Sequence, residues 1–150
     1  MGKRTMAIAL CILVALAAVP NAFAINCVQY VKASSEFNIS GNAWLWWDHA
    51  AGIYGRGKTP REGSVLVFKR TNKMHSGHVA LVSRVLDDRT LLIDHANWGS
   101  GRGEKGRVQR GVLAMDCSSR HDWSAVCVWN EKFEVYGRPY PTNGFIYPQD

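Results

Sequence analysis

From Ser64 to Trp129 the chain passes through five short runs rich in Val, Ile, Leu and aromatic residues: Ser64–Lys69, His78–Leu86, Arg89–Asn97, Val108–Met115 and Trp123–Trp129. Turn residues such as Asp87-Asp88 separate them, so strand follows strand. Helical signals come earlier. Asn26 is a good amino-terminal cap for a helix that starts near Cys27 and carries Val28, Tyr30, Val31 and Ala33. Asn42 can likewise cap a helix through Ala43, Trp44, Leu45, Trp46 and Trp47 that ends at Gly52. Helices first and consecutive strands afterwards predict an α+β domain, with amino-terminal helices packed on an antiparallel β-sheet of about five to six strands.

Residues 1–24 do not belong to that domain. Lys3 and Arg4 give a positive start, Met6 to Val19 is an unbroken apolar run, and Ala22-Phe23-Ala24 is a small-x-small cleavage pattern. This is the plan of a secretory signal peptide, with cleavage after Ala24 and a catalytic-size domain over 25–150. The apolar run falls short of the roughly 20 residues that span a bilayer, and no later segment is longer, so no stable membrane span is expected after cleavage. The destination is secreted or periplasmic. Loss of Lys3 and Arg4 lowers the formal charge from +6 to +4. That excess is too small and too dispersed in sequence for a nucleic-acid partner.

Export changes how the cysteines are read. Cys11 leaves with the leader, and an oxidising compartment receives Cys27, Cys117 and Cys127. Cys117 and Cys127 enclose a short loop, and a bridge across it stabilises by about 2 to 3 kcal/mol on the chain-entropy model. Cys27 is the odd thiol. No paired C-x-x-C or H-x-x-x-H spacing offers a metal site, and no cofactor motif is present: the glycine-rich stretch Gly99–Gly106 lacks the ending of a phosphate loop and reads as a mobile loop and candidate groove wall.

A thiol in the first turn of a helix meets free backbone N–H groups and the positive end of the dipole, which favour the thiolate. A thiolate nucleophile needs a base, and His78 is the best placed, behind Ser76-Gly77 at the start of a strand. Period-two alternation on the next strand puts Leu91, Ile93, His95 and Asn97 on one face and Leu92, Asp94 and Ala96 on the other. A turn at Asp87-Asp88 sets His78 opposite His95, which supplies a third group to orient the base, with Asn97 as a further polar neighbour. Asp94 takes that role if the strand carries a bulge. Trp44, Trp46 and Trp47 read as core rather than as a sugar platform.

Five ordered blocks resemble a known family. Asn26-Cys27-Val28-Gln29-Tyr30-Val31, Gly41-Asn42-Ala43-Trp44, Pro60-Arg61-Glu62-Gly63-Ser64-Val65-Leu66-Val67-Phe68, Ser76-Gly77-His78-Val79-Ala80-Leu81-Val82 and Asp94-His95-Ala96-Asn97-Trp98 look like a CHAP domain, the cysteine- and histidine-dependent amidohydrolase/peptidase family. The resemblance runs from about Asn26 to Trp98. It implies a papain-like α+β fold related to the NlpC/P60 hydrolases, and cleavage of amide bonds in peptidoglycan or muropeptides, as an N-acetylmuramoyl-L-alanine amidase or a stem or cross-bridge endopeptidase. Cys27 matches the nucleophile, His78 the base and Asn97 the polar residue of the closing motif. Two positions depart from the common pattern: Asn26 stands where many members have glutamine, and His95 where many have glutamate. A histidine as third member is similar to the NlpC/P60 arrangement.

The implied chemistry is acyl transfer, with the Cys27 backbone N–H in the oxyanion site. The alternative is a monomer-or-dimer question of another class: a non-catalytic wall-binding or structural module that keeps the fold and uses Cys27 for an intermolecular bridge. The enzyme reading expects a monomer.

Overall fold

The computed structural model describes residues 24–99, 101 and 103–149; the leader reading, apart from Ala24, and Cys11 lie outside the described residues. Helix α1 (Cys27–Ser34) is followed by a 3₁₀ turn (Ala43–Leu45), helix α2 (Trp46–His49) and eight strands: β1 (Arg56–Gly57), β2 (Val65–Phe68), β3 (His78–Val85), β4 (Thr90–Ala96), β5 (Val108–Asp116), β6 (Ala125–Asn130), β7 (Val135–Tyr136) and β8 (Tyr140–Ile146). The five predicted strands all form, within two residues of their expected ends. All pairings are antiparallel, in the order β1-β8-β2-β3-β4-β5-β6-β7.

The architecture departs from helices laid on an open sheet. Strand β8 pairs with β2 through Thr142–Ile146 and with β6 through Tyr140 and Pro141, so six strands close into a barrel. Mostly antiparallel β structure with a few short helices is the result. β8 escapes a sequence reading because Pro141, Asn143 and Gly144 look like turn residues. They serve the change of partner instead: the register slips between Val67 and Phe68, Gly144 adopts φ 123°, and Pro141, which has no N–H to give, offers its carbonyl to Lys69. The second predicted helix is shorter than expected. Its α-helical part ends at His49, and a turn carries the chain to Gly52.

Two cores share the barrel wall. Leu66, Phe68, Ala80, Val82, Leu91, Ile93, Trp123, Val126 and Phe145 fill the inside. Val65, Val67, Val79 and Ala96 point outward and meet Tyr30 and Val31 of α1 and Trp46 of α2. Trp46 is fully buried, as expected of a core residue, while Trp44 and Trp47 are half-buried, each beneath an arginine, Arg70 at 5.0 Å and Arg56 at 4.9 Å. The two-sided covering explains why β2 is buried at every position.

The β3–β4 register differs from the simple hairpin. Leu81 lies opposite Asp94, where a direct pairing of His78 with His95 would require Val79, and the register slips between Val82 and Arg84. That bulge decides which way His78 faces. Nearer the turn Val85 pairs with Leu91, an inward residue; without the extra residue the same parity would carry His78 outward. With it, His78 continues the inward row of Ala80 and Val82, and His95 the row of Leu91 and Ile93.

Cys117 and Cys127 are disulfide-bonded with Cα atoms 5.9 Å apart, tying the end of β5 to the middle of β6, and Cys27 is free and buried. No helix among the described residues is long and apolar enough to cross a membrane.

Candidate active site

Asn26 and Gln29 form a capping box: the Asn26 side chain accepts from the Gln29 amide at 2.9 Å, and the Gln29 side chain accepts from the Asn26 amide at 3.0 Å. Asn26, a departure from the family pattern, thus fixes the start of α1. The amides of Cys27 and Val28 lie in the first turn, where a helix provides no acceptor. Both favour charge on the Cys27 sulfur, together with the amide of Val79 from the adjacent strand. Burial works the other way and wins: Cys27 is 9% exposed, and desolvation raises its thiol above the ordinary value. The lowered pKa expected from a helix start is therefore not found in the free protein. The backbone amides lower the pKa as expected, and desolvation outweighs them.

Val79 directly follows His78, so the strand that favours the thiolate also carries the base. Gly77 lets this end of β3 pass close against the 3₁₀ turn. It adopts φ 66°, and a Cβ there would stand 2.8 Å from the Trp44 backbone nitrogen.

His78 Nε2 and His95 Nδ1 are 3.1 Å apart in a buried hydrogen bond. The two rings meet edge to face with centroids 5.1 Å apart, a diagonal contact across the shifted register. Since His78 uses Nε2 on His95, its Nδ1 is the nitrogen left for another partner. Burial, then the like-charge effect of His95 and Lys105, holds His78 well below its ordinary pKa, and burial pushes His95 down to about 4. Both rings are neutral at pH 7. His95 Nε2 is buried with no hydrogen-bond partner among the described residues, so nothing there compensates a charge on that ring.

Asp94 and Asn97 do not join the pair. A bulge does occur near Ile93, but the extra residue is in β5, where Gly111 donates its amide to Asp94 Oδ1 at 2.7 Å. The Asp94 side chain is thereby engaged away from His78. Asn97 has φ 61°, a left-handed conformation that asparagine tolerates, and its side chain accepts from the Gly106 amide at 3.0 Å while its own amide donates to Arg107 O. It closes the base of the loop that starts at Trp98. Sequence reasoning assigned Trp98 no part, yet its ring lies 4.7 Å from His78 and stacks on His95 at 5.4 Å. Its position beside Asn97 was the available signal.

Cys27, His78, Asn97 and Trp98 line one cleft of about 1720 Å³, with Gly99, Gly101, Glu104 and Lys105 in its wall, as expected of the glycine-rich loop. No cluster of three or more potential metal ligands occurs among the described residues.

A free thiol at a helix start and a histidine on one cleft, with a second histidine buried behind it, are groups that thiol acyl-transfer chemistry can use. The CHAP domain model matches residues 18–97, more than half of the chain, and the protein belongs to that family. CHAP domains are in general amidohydrolases or peptidases with peptidoglycan-type substrates. No curated protein sequence matches the chain.

Proposed function

We propose that the protein is an exported cysteine amidohydrolase or peptidase that cleaves amide bonds in peptidoglycan, as an N-acetylmuramoyl-L-alanine amidase or a stem or cross-bridge endopeptidase, on a papain-like plan. The observation that carries this reading is the 3.1 Å bond from His78 to His95. In the tautomer that gives Nε2–H to His95, Nδ1 of His78 is left unprotonated, and His78 and Cys27 line the same cleft.

Thiol and imidazole begin neutral, so the proton moves as the bond forms. His78 Nδ1 takes the Cys27 proton while the sulfur attacks the amide carbon. The amides of Cys27 and Val28 supply donors for the oxyanion. His78 then returns the proton to the departing amine as the C–N bond breaks, leaving a thioester. Water adds to the thioester, its proton passing through His78, and the carboxylic acid leaves with the thiol restored. His95 orients the base, and Asn97 holds the cleft loop rather than the imidazole.

A thiol only 9% exposed is poorly presented to a second chain, which disfavours the bridged wall-binding module and agrees with a monomer. Digestion of purified sacculi, with mass spectrometry of the released fragments, tests the function. Wild type should release peptides or muropeptides with new amine and carboxyl ends, and Cys27→Ala none. Equal release by both would exclude the thiol mechanism.

A further inference from the structure

The positive charge dispersed in the sequence is gathered in the folded protein. Lys73, Lys105, Arg107, Lys132 and Arg138 line the same cleft against two acidic side chains, and among the described residues only Arg107 of the five forms an ion pair, with Glu104 at 3.5 Å. A concave surface concentrates the potential of such charges. The histidine pair is neutral and the scissile amide is neutral, so this field serves a charge elsewhere on the substrate.

Arg138 is set apart by its support. Its guanidinium lies 4.9 Å over the Tyr140 ring, Tyr140 lies 4.9 Å from Trp98, and Trp98 lies 4.7 Å from His78. Stacking restrains the guanidinium while leaving its planar N–H fork open. Lys73, from the β2–β3 loop, joins Arg138 in lining both the cleft and an adjoining depression of about 340 Å³. The ring-to-ring path from His78 to Arg138 is no longer than an extended peptide of about four residues.

We propose that Arg138, assisted by Lys73, is a carboxylate-recognition site that selects peptide substrates bearing a free carboxylate within about four residues of the scissile amide. The inference rests on the amide-hydrolase reading and adds its specificity. Arg138 and Tyr140 both lie beyond the residues matched by the family model.

A matched pair of synthetic muropeptides, one with free stem carboxylates and one with those groups amidated, tests it against wild type and Arg138→Gln. Wild type should favour the free form about two- to fivefold in kcat/KM, through KM rather than kcat, the size expected of an exposed charge pair. In Arg138→Gln that ratio should fall to about one. Equal kcat/KM on the two substrates with wild type, or an undiminished preference in the variant, overturns the proposal. If wild type cleaves neither, the hydrolase reading fails separately, and calorimetry on Cys27→Ala decides the site: selective binding of the free form, lost on adding Arg138→Gln, upholds it, and equal binding of both forms overturns it.

Discussion

The two sides of the cleft are built on opposite principles. On one side His78 and His95 are buried, neutral and packed among Phe68 and Trp98, with the thiol of Cys27 almost equally enclosed. On the other, Lys132, Phe133 and Arg138 stand in solvent, and Phe133 is 68% exposed. Reactive groups are kept dry, where a hydrogen bond holds one geometry and charge is costly. Charged groups are kept wet, where they meet a substrate without desolvation. The comparison separates positioning for chemistry from recognition, and each side fails differently.

The largest effect should come from the dry side. His78→Ala should lower sacculus hydrolysis by at least about a thousandfold, because the proton has no other acceptor, with the fold retained by circular dichroism although the lost packing lowers the melting temperature. Activity within about tenfold of wild type in a folded variant would move the base elsewhere and break the contrast.

Next is acid sensitivity. His95 titrates at about 4 when folded against an ordinary 6.5, so the unfolded chain takes up the proton first as pH falls. Its contribution is complete above about pH 6.5 and is lost toward pH 4, amounting to about 3 kcal/mol, with His78 acting in the same direction. Urea unfolding at pH 7 and pH 4 measures this. No loss over that range would mean that the pair is hydrated and not dry.

The Cys117–Cys127 bridge lies away from both sides. Replacing both cysteines by serine should cost about 2 to 3 kcal/mol in chemical denaturation and leave turnover within about threefold. A much larger loss of turnover would show that the bridge shapes the cleft wall.

The smallest effects refine the histidine pair. His95→Ala should reduce kcat about thirtyfold, since an unsupported His78 still visits the productive orientation, whereas Asp94→Asn keeps an acceptor for Gly111 and should change kcat less than about threefold. The reverse order in folded proteins would make Asp94 the orienting group.

Much of this was legible in local chemistry. Asn26 ahead of Cys27, with Gln29 three residues on, specifies where α1 begins, because a cap needs only neighbours in sequence. The alternation Leu91-Ile93-His95 specifies one face of β4 for the same reason, and Cys117 with Cys127 lies close enough to pair across one hairpin. What stayed hidden depends on distant partners. Pro141 and Gly144 are poor strand residues until β8 is needed between β2 and β6. The extra residue near Ser83 leaves no mark in composition, yet it turns His78 to face His95. The expected thiolate at Cys27 was overruled by burial, a property of the packing around α1. The cations are scattered through the chain from Lys73 to Arg138, and only closure of the barrel brings them to one cleft. Caps, strand faces and reactive residue types can be read from neighbouring residues alone, because they act over a few positions. Register, desolvation and charge clustering were decided by tertiary structure, because each is set by contacts between segments far apart in the chain.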